Sequence, residues 1–146
     1  PVVGRGVSEN PKNRFERLEL TPDLDELDHE LQTGEKERPQ TFYYKDSSKS
    51  FITYNDSPDI GYNASVNPYR GCSHGCVYCY SRQTHEYLGF SAGLDFETKI
   101  MVKTDAPQLL RKELSAKNWQ PQLVGFSGVT DIYQPIEKQL KLTRKC

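Results

Sequence analysis

Three cysteines within eight residues constrain this chain more than any other feature. They sit in the string Asn67-Pro68-Tyr69-Arg70-Gly71-Cys72-Ser73-His74-Gly75-Cys76-Val77-Tyr78-Cys79-Tyr80, with the spacing Cys-x3-Cys-x2-Cys. An iron–sulfur cube needs thiolates on separate corners. A tight loop can supply three of them if glycines such as Gly71 and Gly75 let it bend. Three ligands for four irons leave one corner open to a substrate or cofactor, a route to radical chemistry. Two other readings of the spacing stay open. One is a structural zinc completed by His74, His85 or Cys146, although the second ligand pair usual for zinc is missing. The other is three incidental cysteines. His74 reads as a loop surface residue, and Cys146 as a helix thiol that packs as a small hydrophobe.

The surroundings favour ligands over disulfides. No apolar run approaches the roughly 18 residues needed to cross a bilayer. No charged segment followed by an apolar stretch marks a signal peptide. The chain therefore reads as a cytoplasmic protein without a membrane partner, in a compartment where thiols stay reduced. It starts at Pro1 and stops at Cys146 within a predicted helix, which reads as a fragment. Net charge is −1, which gives no bulk electrostatic case for nucleic acid. Residues 1–56 carry 8 basic and 12 acidic residues, while residues 57–146 carry 11 and 8. That asymmetry is mild and fits a solvated face.

Periodicity separates an irregular N-terminal extension, 1–56, from a core segment, 57–146. Residues 1–20 read as an extended or disordered arm. Thr21-Pro22 opens a short acidic helix over residues 21–33, with Leu24, Leu27 and Leu31 on one stripe and Gly34 as its stop. Residues 40–56 have strand-like content interrupted by Asp46-Ser47-Ser48. Beyond the break at 56–59, strands are predicted over 60–67, 99–103 and 122–126. Helices are predicted from Tyr80, from Ala106 with Asp105 as its cap, and from Pro135. In the middle helix Ala106, Leu109, Leu110 and Leu114 form the apolar face. Strands alternating with helices predict an α/β fold with a parallel sheet.

Tyr78 and Tyr80 flank the third cysteine. Adjacent side chains in an extended loop point apart, so one ring is placed to cover a ligand while the other packs inward. An aromatic ring offers a face to a purine and a hydroxyl to its polar edge. Taken alone, such tyrosines also serve as core filler.

The Cys72, Cys76 and Cys79 spacing, with aromatic Tyr78 before the last cysteine, resembles the signature of the radical S-adenosylmethionine superfamily. The longer string Asn67 to Tyr80, followed by Thr84-His85-Glu86-Tyr87-Leu88, resembles an uncharacterised bacterial branch related to spore photolyase. Gly128-Val129-Thr130-Asp131-Ile132-Tyr133-Gln134-Pro135-Ile136-Glu137, the arm Gly4-Arg5-Gly6 and the segment Asn55-Asp56-Ser57-Pro58-Asp59 carry the same likeness.

This resemblance implies the N-terminal portion of a partial six-unit (β/α) barrel, with the cysteine loop after its first strand. It implies a four-iron, four-sulfur (4Fe–4S) cluster on Cys72, Cys76 and Cys79, with S-adenosyl-L-methionine chelating the open iron. An external one-electron reductant of flavodoxin or ferredoxin type would drive reductive cleavage to methionine and a 5′-deoxyadenosyl radical. That radical would abstract hydrogen from a substrate whose identity stays open, nucleic acid among the candidates. By position, Tyr78 contacts adenine or ribose, Tyr80 is a second aromatic near the cofactor, and Thr130 helps hold its methionine end. Asp131 is read either as an aid there or as a cap on the next helix. One departure stands out. Spore photolyase has a hydrogen-donating cysteine two residues before the Thr130 position, and here that residue is Gly128, so thymine-dimer repair by the same route is not expected.

Overall fold

A computed structural model describes residues 4–15 and 39–146. The predicted helix over 21–33 lies outside these residues. Short apolar runs become short strands: β1 (Phe42–Lys45), β2 (Ile52–Tyr54), β3 (Ala64–Val66), β4 (Tyr69–Arg70), β5 (Lys99–Val102) and β6 (Val124–Phe126). Between them lie a 3₁₀ helix (Tyr80–Leu88), α1 (Leu94–Thr98), α2 (Ala106–Leu114), α3 (Glu137–Leu140) and α4 (Leu142–Lys145). The fold is mixed α/β. Two three-stranded sheets have the orders β1-β5-β4 and β2-β3-β6, and among the described residues they do not close into a barrel. None of the described helices is long and apolar enough to cross a membrane.

The chain divides into two units. Unit 1 combines the residues up to Phe42 with Gly71–Ile100, and unit 2 combines Tyr43–Arg70 with Met101–Cys146. Both draw on residues from either side of position 56.

Unit 2 has an apolar core. Phe51, Ile52, Ala64, Val66, Ala106 and Leu110 are buried together, with Leu109, Trp119, Val124 and Cys146 packed against them. β3 anchors this core because both Ala64 and Val66 turn inward, the period-2 alternation of a strand. It pairs antiparallel with β2 (Ile52 opposite Val66) and parallel with β6 (Ala64 opposite Val124). The sheets are therefore mixed and not the parallel sheet expected: β4 and β5 also pair antiparallel, and the β3–β6 connection itself contains β4 and β5.

Helix α2 presents Ala106 and Leu110 to this core, while Leu114, also expected there, is 42% exposed at the helix end. Asp105 stands at the predicted cap position but makes no capping hydrogen bond. Its carboxylate instead pairs with Lys45 at 3.2 Å. Glu113 of the same helix accepts hydrogen bonds from the backbone N–H of Phe51 (2.9 Å) and Ile52 (2.8 Å), satisfying donors at the head of β2.

The predicted last helix is broken into two by Lys141, which adopts a left-handed conformation with φ 53°. Glu137 explains the break. Its carboxylate accepts the N–H of Leu142 (2.8 Å) and of Thr143 (3.1 Å), filling donors that open α4, and takes the Tyr69 hydroxyl as well. Burial, first, and then this bond raise the Tyr69 phenol far above its ordinary range.

Candidate metal centre

The cysteine loop belongs to unit 1 and is a chain of tight turns. The Gly75 N–H donates to the Cys72 carbonyl (3.2 Å), the Cys79 N–H to the Cys76 carbonyl (3.2 Å), and the Arg82 N–H to the Cys79 carbonyl (3.3 Å). Each cysteine thus opens its own turn. Two glycines make this path possible: Gly71 has φ 77° and Gly75 φ 66°, in the left-handed region that disfavours a side chain. The Cys72 N–H is tied to the Phe96 carbonyl at 2.9 Å, fixing the loop's entry to α1.

Cys72 is buried, Cys76 exposed and Cys79 half-buried, and none of the four cysteines is in a disulfide. His74 is exposed, as expected of a loop surface residue. Tyr78 and Tyr80 are 87% and 74% exposed, so neither packs inward and the core-filler reading of both is excluded. The Tyr78 hydroxyl lies beside the Cys76 sulfur, which, with smaller effects from burial and from Cys79, raises the phenol above its ordinary value.

The donor set suits a cluster. Three reduced thiols project from one glycine-bent loop, and the chain's only other cysteine, Cys146, lies in unit 2. Burial, aided by Glu137, pushes the Cys146 thiol up to about 11, which makes it a poor thiolate. Among the described residues, no three His, Cys, Asp or Glu side chains are gathered around the position of a single ion.

Behind the loop the interior of unit 1 is polar. His85 is fully buried between Phe90 and Phe96, with ring centroids 5.2 and 5.6 Å away. Among the described residues neither of its nitrogens has a well-formed hydrogen bond, although the Lys99 and Asp95 backbones lie beside the ring. Burial pushes the imidazole down to about 4, against a weaker upward pull from the Asp95 carboxylate and nearby backbone. His85 is therefore neutral at pH 7.

Arg82, Glu86, Asp95 and Glu97 are also buried in this unit. The residues expected to be a loose arm are bound to them. Asn10 Nδ2 donates to Asp95 (2.9 Å), Asn13 Nδ2 to the Phe90 carbonyl (2.9 Å), and Arg14 Nε to Glu86 (2.7 Å). Sequence reasoning missed these partners because an isolated charge in a polar stretch reads as solvated.

Thr130 and Asp131 belong to unit 2. The loop holding them is fastened by Asn67, whose side-chain oxygen accepts the N–H of Gly128 (2.8 Å) and of Val129 (3.2 Å). Ser127 follows β6 with φ 71°, its N–H on the Val66 carbonyl at 3.0 Å. Thr130 is buried, and its hydroxyl oxygen accepts a hydrogen bond from the buried Gln134 amide at 2.9 Å. Asp131 is exposed and accepts the Tyr133 N–H at 2.7 Å, a turn bond and not a cap on α3, whose N-cap position is Ile136. Asn67 and Gln134 were not singled out from sequence, since single amides carry no spacing signal.

No family model matches the chain, and no solved structure does. Curated relatives do. The chain is 46% identical over 83 residues to the uncharacterized protein Rv2578c of Mycobacterium tuberculosis, which is 57% of this chain and 24% of that protein. The same figures hold for the uncharacterized protein Mb2609c of Mycobacterium bovis. The uncharacterized protein MJ0683 of Methanocaldococcus jannaschii is 34% identical over 80 residues, 54% of this chain and 27% of its own length. The chain thus matches about a quarter of the length of these relatives.

Proposed function

We propose that this chain is the cluster-binding part of a radical S-adenosylmethionine enzyme, a cytoplasmic protein that draws electrons from a flavodoxin- or ferredoxin-like reductant. The observation that carries this reading is the loop itself: three reduced thiols, each opening its own turn, on a backbone bent at two positive-φ glycines. Cys72, Cys76 and Cys79 would hold a 4Fe–4S cluster and leave its fourth iron to the cofactor. A cluster so ligated supplies one-electron reductive cleavage of S-adenosyl-L-methionine, giving a 5′-deoxyadenosyl radical for hydrogen abstraction.

The remaining roles fall to the chain's own side chains. Tyr78 offers an exposed ring face to the adenine. Tyr80 offers a second exposed ring. The role that the resemblance gives Thr130 is read separately, as cofactor affinity in Thr130→Val. Gly128 brings no thiol to donate hydrogen to a product radical, so the substrate chemistry differs from dimer repair, and a nucleic-acid substrate rests on the likeness alone.

The test is anaerobic reconstitution with iron and sulfide. The wild-type chain is expected to take up iron with acid-labile sulfide, and the Cys72, Cys76 and Cys79 triple alanine variant to take up neither. Tyr78→Ala is expected to weaken cofactor binding while sparing the cluster. A chain that holds one zinc and no sulfide, or a triple variant that still turns brown, would sink the proposal.

A further inference from the structure

The cysteine loop is gripped from behind by one buried cation. The Arg82 guanidinium donates to the Gly75 carbonyl at 2.7 Å and the Cys76 carbonyl at 3.0 Å. Its other nitrogen reaches the carbonyls of Ala92 (3.2 Å) and Gly93 (2.9 Å). The Gly75 and Cys76 carbonyls belong to the two peptide planes on either side of the Cys76 α-carbon. Pinning both planes fixes the direction in which the Cys76 side chain leaves the backbone.

The cation has a buried counter-charge. Glu97 is fully buried, with a carboxylate oxygen 3.9 Å from Arg82 Nη2. That separation is too long for a strong ion pair, and the carboxylate is satisfied elsewhere. It accepts three successive backbone N–H groups of the N-terminal arm: Arg5 at 2.9 Å, Gly6 at 3.1 Å and Val7 at 3.3 Å. The Arg5 side chain closes the circuit by donating to the Glu97 carbonyl at 2.9 Å. The fit is close: a Cβ on Gly6 would fall on the Gly75 carbonyl oxygen, and a Cβ on Gly75 on the Glu97 carboxylate.

We infer that residues 5–7, Glu97 and Arg82 form a brace that positions the cysteine loop for its cluster, with Arg82 and Glu97 as positioning residues and the arm as an integral part of the site. The cluster half of this inference rests on the function proposed above. The mechanical half concerns the loop alone. A guanidinium is suited to the task because its planar fork can serve several carbonyls at once, which a lysine ammonium at the same place cannot. Three N–H groups on one buried carboxylate both satisfy it and hold the arm in place.

The test uses the full chain carrying Arg82→Lys, Glu97→Gln or Gly6→Ala. First, alkylation of buried Cys72 is timed in cluster-free protein by mass spectrometry, with Cys146 of unit 2 as the internal reference. Each variant is expected to speed Cys72 modification by about tenfold or more while leaving Cys146 unchanged. Second, the reduced, reconstituted proteins are compared by electron paramagnetic resonance with and without S-adenosylmethionine. A shifted cluster signal is expected in all three.

Gly6→Ala keeps both buried charges and decides the matter if the other two variants fail to fold. If the wild-type chain takes up no cluster, the proposed function fails, while the alkylation rates still judge the brace. Wild-type Cys72 protection in a Gly6→Ala chain whose arm is cut early by protease would overturn the brace. So would an unshifted cluster signal in a variant with a loosened loop.

Discussion

The two units are held together by opposite means. Unit 2 buries Phe51, Ile52, Ala64, Val66, Ala106 and Leu110 against one another. Unit 1 buries Arg82, Glu86, Asp95, Glu97, His85 and Asn13, with Phe96 and Ile100 as its large apolar residues. Hydrophobic burial is non-directional, so a core like that of unit 2 loses stability in proportion to what is removed. A buried polar network is directional and depends on every partner being present, since an abandoned charge keeps its full desolvation penalty. The unit that carries the cysteine loop is therefore the one whose geometry is held most rigidly by specific bonds.

The contrast can be broken from either side. Glu97→Ala should have the largest effect: it takes the acceptor from three part-buried backbone N–H groups of the arm and the nearby counter-charge from buried Arg82, a loss of about 3–5 kcal/mol. Chemical denaturation monitored by amide hydrogen exchange should show that loss in unit 1. Leu110→Ala should cost about 2–5 kcal/mol through transfer and cavity terms, toward the lower end because the helix end is close to solvent. Its exchange signature should appear in unit 2.

A pH titration of the cluster-free chain sharpens the comparison further. His85 is neutral in the folded state down to about pH 4, because burial opposes its charging. Above pH ~6.5 it is neutral in the unfolded chain as well and has no effect on the balance. As pH falls below that value the unfolded chain takes up a proton that the folded chain refuses. Stability then drops by about 1.4 kcal/mol per pH unit until the folded group itself titrates. His85→Leu should flatten this part of the denaturation profile between pH 6 and 4.5, and an unchanged slope would remove His85 from the account.

The smallest effect is expected at Gly128. A Cβ there would meet nothing nearer than the Ser65 hydroxyl at 3.9 Å, so Gly128→Cys should change stability by less than about 1 kcal/mol. That variant would place a thiol two residues before Thr130 without disturbing the loop that Asn67 fastens.

Wherever apolar periodicity carried the signal, the fold was legible in the sequence. β3, β5 and β6 lie within the predicted strands, and α2 starts at the predicted Ala106-Pro107 step, with Ala106 and Leu110 buried. The 3₁₀ helix over Tyr80–Leu88 was legible as a helix, but its tighter winding was not. Where a lone charge decided the structure, the sequence was silent. Asp105 pairs with Lys45 instead of capping α2. The break at Lys141 depends on Glu137 reaching forward to Leu142 and Thr143, which no periodicity encodes.

The candidate site divides along the same line. Residue types and spacing by themselves determined that three cysteines share one loop with its glycine bends and two neighbouring tyrosines, because residue chemistry and backbone freedom are properties of local sequence. Only the tertiary structure decided that both tyrosines face outward, that His85 is neutral, and that the N-terminal arm closes over Glu97 behind the loop. The closing of the arm depends on contacts across more than seventy positions, such as Arg14 to Glu86 and Arg5 to Glu97. A buried charge is indistinguishable from a solvated one until the chain has brought its partners to it.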